Sequence, residues 1–374
     1  MRAEVVFWVA VGLVVYTYAG YPIVLLALRS LVRRPVDRQP IEPFVSVLVP
    51  AYNEAHVIAE KIRNVLAIDY PADRYELVVA CDGPSDATAE IVRSMADGHR
   101  VRTFIFEKNR GKLHVLNDVV PQLEGEIVAF SDASSMLERG ALRALVAGFA
   151  DPKVGAVSGV YRVQKQDAAH LGRQEDFYWT YETFLKKQEA TLGSILGCHG
   201  SLYAIRRELY PFPRPDTIND DYVIPLRIVQ KGYRVAYEPA AVAHEEAHEM
   251  GGFGRRVRIM AGNVEQLREI VPLIWPPRPM LLFFFLSHKV ARLIVPAALI
   301  VEALTNVMLL SQPLYRFLGA LQLVFYGLVG LGAVWQLRPK ALRLPYYFCM
   351  INAAVLVGAY HVMRGRQALR WKQQ

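Results

Sequence analysis

From Val5 to Leu28 the chain carries no charged residue. A helix of that length crosses the roughly 30 Å hydrocarbon core of a bilayer. The run is too long for a signal peptide and lacks a clear small-residue cleavage site. It predicts a retained membrane helix within residues 1–30. From Phe44 the pattern changes. Phe44–Pro50 (FVSVLVP), Glu76–Cys81, Val101–Phe106 and Glu126–Ser131 are short apolar runs that predict buried strands. The amphipathic stretches between them, Ala55–Ile68, Asp86–Met95 and Lys112–Val120, predict helices. Such alternation implies an α/β fold, a mainly parallel sheet with helices on both faces. Ligands bind such sheets outside the carboxyl ends of the strands.

Beyond Val154–Arg162, a polar and aromatic stretch over about Asp167–Glu189 predicts a long helix. A loop with Gly193, Gly197 and Gly200 follows. A helix starts at Asp220–Asp221 and stops near Gly232, and Tyr233–Tyr237 predicts another strand. Gly251, Gly252 and Gly254 mark a flexible segment, and four prolines between Pro272 and Pro279 close the soluble part, taken as residues 44–275. The rest is apolar again. We expect an interfacial helix at 276–292, then two to three membrane helices within 293–364 (Leu293–Leu310, Phe317–Trp335 and Pro345–Met363), and a basic tail at 365–374. Glu302, inside the first of these spans, is costly unless it faces other helices.

Charge adds a direction. Arg29, Arg33, Arg34 and Arg38 follow the first apolar run, within a basic, proline-containing linker at 31–43. Basic flanks mark the cytosolic side of a membrane helix. The formal net charge of +8 suits contact with anionic lipid or an anionic ligand. No Lys/Arg-rich run interleaved with aromatics predicts a nucleic-acid partner. One conflict stands: three C-terminal crossings would put the tail with Arg364, Arg366, Arg370 and Lys372 on the far side of the bilayer, against the rule. Cys81, Cys198 and Cys349 form neither a CxxC pair nor a disulfide framework, in keeping with a reducing compartment.

Four polar clusters sit at expected strand ends or helix starts: Tyr52-Asn53-Glu54, Asp82-Gly83, Ser131-Asp132-Ala133-Ser134 and Asn219-Asp220-Asp221. Singly, an Asx-Gly pair is a turn signal and an aspartate before a helix is a cap. Their joint order along the carboxyl rim of one sheet points to a ligand site instead.

Together VSVLVPAYNE (45–54), CDG (81–83), KNRGK (108–112), SDAS (131–134), GCHGSLYAIRRE (197–208) and NDDYVIPLRIVQKGYRVAYEP (219–239) resemble family 2 glycosyltransferases. The branch is the membrane-embedded one of cellulose, hyaluronan and poly-N-acetylglucosamine synthases, and the resemblance covers about Phe44–Gln266. It implies a GT-A fold, a nucleotide-sugar donor (usually UDP-linked) and a divalent metal, Mg2+ or Mn2+. Pro50, Tyr52, Asn53 and Glu54 match the nucleoside-contacting motif, Asp82 the base-contacting aspartate, and Lys112 a basic residue near the donor phosphates. Asp132 matches the first position of the family's Asp-x-Asp metal motif. The second position is Ser134, and a hydroxyl is a weaker ligand than a carboxylate for either ion.

Asp220 and Asp221 match the family's catalytic acidic pair. Asp221 is the expected general base for the acceptor hydroxyl, and the start of a helix favours its ionised form. A single in-line displacement would invert the anomeric carbon. His199, Gly200 and Ser201 match an acceptor-site loop. Polymerising members carry Gln-x-x-Arg-Trp; here Arg255 stands at the glutamine, Arg258 at the arginine and Ile259 at the tryptophan. Arg255 and Arg258 are then expected near the diphosphate, and the stacking tryptophan is missing. The resemblance implies sugar transfer to a lipid-linked glycan or a growing polysaccharide, on the cytosolic face of a bacterial-type inner or plasma membrane.

Two other readings start from different features. His244-Glu245-Glu246-Ala247-His248 matches H-E-x-x-H. On a helix that pattern turns two imidazoles to one face for zinc, which would make a membrane metalloprotease. That reading leaves Asp82, Asp132 and Asp221 unexplained. Within the resemblance, His244 could instead assist the metal. The other is a membrane protein that binds a nucleotide-sugar without catalysis, against which stand Asp221, Lys112 and Arg258.

Overall fold

A computed structural model describes residues 2–164, 172–246, 253–270, 273, 278–335 and 340–365. The chain divides into two compact units, one from Leu31–His248 and one from Met1–Ser30 with Glu249–Ala368.

The first unit is built on an eight-stranded sheet. Its strands are β1 (Val45–Ala51), β2 (Tyr75–Asp82), β3 (Val101–Phe106), β4 (Ile127–Phe130), β5 (Ser135–Leu137), β6 (Val154–Gln164), β7 (Tyr203–Arg206) and β8 (Arg234–Glu246). Every residue of β1, β2 and β4 is buried. A strand covered on both faces reads as a near-continuous apolar run, which is why these three are plain in the sequence. The helices are α1 (Ile58–Leu66), α2 (Thr88–Met95), α3 (Lys112–Val119), α4 (Ala141–Ala147), α5 (Gly172–Leu192) and α6 (Asp220–Gln230).

The strand order is β3-β2-β1-β4-β7-β6-β8-β5. The β3-β2-β1-β4 half is parallel. In the other half β7 runs antiparallel to β4 and β6, and β5 antiparallel to β8, while β6 and β8 are parallel. The sheet is therefore mixed, and the expected parallel order holds for its first half. Strands β5 and β7, of three and four residues, are too short to carry a period. Two expected bounds also move. The helix expected from Ala55 starts at Ile58, because the Glu54 and Ala55 amides are bonded to Thr88 Oγ1 and Asp86 Oδ2 instead of opening a helix. The strand expected at Tyr233–Tyr237 runs on to Glu246, which carries the end of β8 beside β5. The start of the helix expected from Asp167 lies outside the described residues, as do Gly251 and Gly252.

The linker is pinned along this unit. The Arg34 amide donates to the Thr191 carbonyl, and Arg38 pairs with Glu238 at 2.7 Å.

Among the described residues, the second unit holds four helices long and apolar enough to cross a membrane: Arg2–Leu31, Pro279–Met308, Pro313–Val334 and Leu344–Met363. The sequence reading divides the second of these near Arg292; the backbone runs through it as one helical stretch with a π-helical turn at Phe285–Val290. Glu302 accepts from Gln322 Nε2 at 3.0 Å across two of these helices. Trp8 Nε1 donates to the Tyr315 hydroxyl at 3.2 Å. Such interhelical bonds satisfy polar groups where water is scarce. Arg366, Arg370 and Lys372 lie outside the described residues.

Candidate active site

The site is assembled at the carboxyl ends of β1, β2 and β4 and the start of α6. After β1, Asn53 adopts a left-handed backbone conformation, φ +56°, and exchanges hydrogen bonds with Ser85 in the loop after β2. Tyr52 and Glu54 flank it, both half-buried, and Pro50 is enclosed in the strand.

Asp82 does something sharper than its motif suggests. It is fully enclosed, and its two oxygens accept from the Arg110 and Gly111 amides at 2.9 and 2.8 Å. Gly83 beside it has φ +59°, and a Cβ there would stand 2.3 Å from the Lys108 carbonyl carbon. The Asp82-Gly83 pair thus folds the 108–111 loop over the end of β2 and presents Lys112 at the start of α3. These bonds engage one lone pair of each oxygen.

Lys112 Nζ stands 3.0 Å from Asp132 Oδ1 and 3.1 Å from Asp220 Oδ2. Burial opposes its charge, but Asp132 and Asp220 outweigh that and hold its pKa above the usual lysine value. Asp220 is the more enclosed partner, 10% exposed against 41% for Asp132, so solvent weakens the Asp132 pairing and the Asp220 pairing is the stronger tie.

Gly200 is where the two ends of the site meet. A Cβ at Gly200 would lie 3.4 Å from Asp221 Oδ2 and 3.5 Å from Asp132 Oδ2. Both oxygens therefore border the same small gap, which the glycine leaves open. Asp220 and Asp221 form the first turn of α6, and the Asp221 carbonyl accepts from the Cys198 amide at 2.8 Å. Burial first, and then the charge of Asp220, raise the Asp221 pKa to about 6.

His199 is buried, with its amide on Ser158 Oγ at 3.1 Å. Its ring lies 5.4 Å from Trp179 on α5 and 5.9 Å from Tyr237, and Trp179 is 4.9 Å from Tyr161. The sequence reading did not single out Trp179 or Tyr161; a tryptophan in the middle of a polar helix was the available signal. Ser201 is buried beside this loop, and its carbonyl accepts from Ser131 Oγ at 2.8 Å.

A third residue, Glu245, entered the sequence reading only as part of the H-E-x-x-H pattern. Ser134 Oγ donates to Glu245 Oε1 at 3.0 Å, because the β5–β8 register sets Ser135 opposite Glu245. Burial and the charges of Asp132, Glu245 and Asp86 push Glu54 up to about 7. Glu54 thus feels the negative charge of three other carboxylates, Asp132, Glu245 and Asp86. Among the described residues no group of three metal-ligating side chains gathers closely. A hard cation needs less than that: Mg2+ is commonly held by one or two carboxylates plus substrate phosphates. The oxygen chemistry of Asp132, with Glu245 on Ser134, fits such an ion.

The H-E-x-x-H pattern does not form its helix. His244 and Glu245 are consecutive on β8, where neighbouring side chains point to opposite faces. His244 Nε2 is paired with Glu138 at 2.7 Å, so the strand turns it away from the Ser134–Glu245 side. His248 lies outside the described residues. Arg255 and Arg258 are on the helix Phe253–Glu265, in the other unit.

Residues 42–261 match the model of the glycosyltransferase-like family 2 domain, more than half the chain. The chain is a family 2 glycosyltransferase.

Among the relatives of this glycosyltransferase are the poly-beta-1,6-N-acetyl-D-glucosamine synthases of Staphylococcus aureus (27% identical over 230 residues, 60% of this chain and 55% of theirs) and Staphylococcus epidermidis (28% over 246 residues, 64% and 59%). The glycosyltransferase spans little more than half the length of these curated relatives. Among solved structures, the mannosyltransferase PcManGT from Pyrobaculum calidifontis, in complex with GDP-Man and Mn2+, matches with a TM-score of 0.74 and 26% identity, over 96% of this chain and 99% of that one. The GT-A fold of the first unit is thereby placed. Neither comparison supports a protease or a binding protein without catalysis.

Proposed function

We propose that this glycosyltransferase moves a sugar from a nucleotide-sugar to an acceptor hydroxyl by one in-line displacement with inversion at the anomeric carbon. The observation that carries the reading is the shared gap at Gly200, bordered by Asp132 Oδ2 and Asp221 Oδ2. Asp221 takes the proton of the acceptor hydroxyl as it attacks. Its raised pKa suits a base that must hold a proton at the moment of transfer and release it near neutrality. Lys112, paired with Asp132 and Asp220, is a fixed positive charge beside the departing diphosphate. Asp132 and Glu245 are the residues that would hold a divalent ion. Mg2+ or Mn2+ bound there would neutralise the diphosphate as it leaves.

A UDP-linked donor stands first, on the family motifs and on the N-acetylglucosamine polymer named for the relatives. GDP-mannose is the second reading, supported by the mannosyltransferase that matches nearly the whole chain. The acceptor is a lipid-linked glycan or a growing polysaccharide, bounded by His199 and Trp179. The four apolar helices and the arginines after Leu28 support a site on the cytosolic face of a membrane.

Membranes bearing the full chain, given radiolabelled UDP-GlcNAc, GDP-mannose and other nucleotide-sugars with Mn2+, test this. Label is expected to move from one donor into a lipid-extractable or large product. No transfer or release from any donor would overturn the reading.

A further inference from the structure

Helix α1 buries one stripe: Ile58, Lys61, Ile62 and Val65. Three of these are the apolar residues expected at i, i+4 and i+7 of a core-facing helix. The fourth is a lysine with no solvent exposure. A buried amine is costly unless its hydrogen bonds are met, so its partners carry information. Lys61 Nζ donates to Ser131 Oγ at 2.7 Å and to the Ser135 carbonyl. These two residues bracket the short segment between β4 and β5 that carries Asp132 and Ser134. The Ser131 hydroxyl in turn donates to the Ser201 carbonyl at 2.8 Å. Ser201 follows Gly200, the residue against which Asp132 and Asp221 meet.

We propose that Lys61 is a positioning residue for the transfer site: its amine ties both ends of the Ser131–Ser135 segment and, through Ser131, locks that segment to the Gly200–Ser201 loop beside Asp221. The inference rests on the reading of Asp132 as a donor-side residue. Lys61 touches no substrate. It sets the gap between the group that receives the nucleotide-sugar and the group that activates the acceptor. An apolar side chain at this place would fill the core as well, but would leave a hydroxyl and a carbonyl without the donor that joins them. Burial lowers the Lys61 pKa to about 7, and the charges of Asp132 and Glu245 work against that shift.

The test uses the full chain in detergent, with calorimetric binding of UDP and of GDP in the presence of Mn2+, the thermal midpoint, and KM and kcat for the donor that the wild type uses. Lys61→Met removes both bonds. Ser131→Ala keeps the lysine and its bond to the Ser135 carbonyl, and removes both the Lys61–Ser131 bond and the link to Ser201. Lys61→Met is expected to weaken Mn2+-dependent nucleotide binding roughly tenfold or more, as loss of a supporting residue around a metal site does, and to lower kcat. Ser131→Ala is expected to keep a near-native midpoint and to lower kcat with a smaller change in binding. If the lysine is only a core residue, Lys61→Met lowers the midpoint while binding and KM stay as in the wild type, and Ser131→Ala has wild-type kcat; that result overturns the inference and leaves the proposed function intact. Should Lys61→Met fail to fold, wild-type kcat in Ser131→Ala still overturns it. A wild-type protein that binds neither nucleotide with Mn2+ removes the reading of Asp132 and the inference with it.

Discussion

Ser134 Oγ and Glu245 Oε1 lie 3.0 Å apart, joining the loop after β4 to the far end of β8. The hydroxyl stands at the position that matches the second carboxylate of the family's metal motif, and Glu245, more than a hundred residues away in the chain, is the carboxylate proposed in its place. Glu245→Gln is therefore expected to raise the Mn2+ concentration needed for half-maximal transfer about tenfold. Ser134→Asp introduced into that variant is expected to recover most of the loss. An unchanged Mn2+ requirement in Glu245→Gln would remove Glu245 from the site.

The pH dependence follows from Asp221. Its pKa is raised to about 6 by burial and by Asp220, and it must be ionised to act as base. The rate should fall on the acid side with a midpoint near 6, and a flat acid side contradicts this. Stability runs the other way. A folded-state pKa above the ordinary 3.8 contributes stability that is complete below 3.8 and lost as pH rises through about 6. At neutral pH the fold carries the unfavourable ionised form. Asp221→Asn should then melt higher than the parent at neutral pH, a gap that closes as pH falls between these two values.

Gly200→Ala separates fold from chemistry. The added methyl would meet Asp221 and Asp132 at 3.4 and 3.5 Å, ordinary contact distances, so the melting midpoint should hold. The methyl fills the gap where transfer is proposed to occur. A loss of roughly a hundredfold in rate is expected, the scale of a displacement of about 1 Å at a reacting centre. A fully active variant would place the reaction elsewhere.

Trp179 and His199, 5.4 Å apart, with Tyr161 beside the tryptophan, offer an aromatic wall for a sugar ring. Trp179→Ala should raise the acceptor KM roughly tenfold and leave the donor KM unchanged. The reverse pattern would assign this wall to the donor.

What could be read from sequence was local. Strands β1, β2 and β4 are near-continuous apolar runs, the Tyr52–Glu54 and Asp132 clusters lie just after β1 and β4, and Asp220–Asp221 open α6. What could not be read depends on register and long-range pairing. Glu245 reaches Ser134 only because β5, three residues long, pairs with β8. Lys61 occupies an apolar stripe, where the pattern is that of a core position. Asp82 reads as a ligand contact from its motif, and its hold on the 108–111 loop, which depends on a distant segment, could not be read. The H-E-x-x-H match was lost to backbone form: His244 and Glu245 lie on the strand β8, not on a helix.

In the proposed reaction Asp221 acts on an acceptor while Asp132 and Lys112 hold the donor. The direct measurement compares wild type with Asp221→Asn in the same preparation, for label transfer and for Mn2+-dependent nucleotide binding. The account predicts a loss of transfer of roughly 10²- to 10⁴-fold with nucleotide binding unchanged. Transfer at the wild-type rate in Asp221→Asn would contradict it.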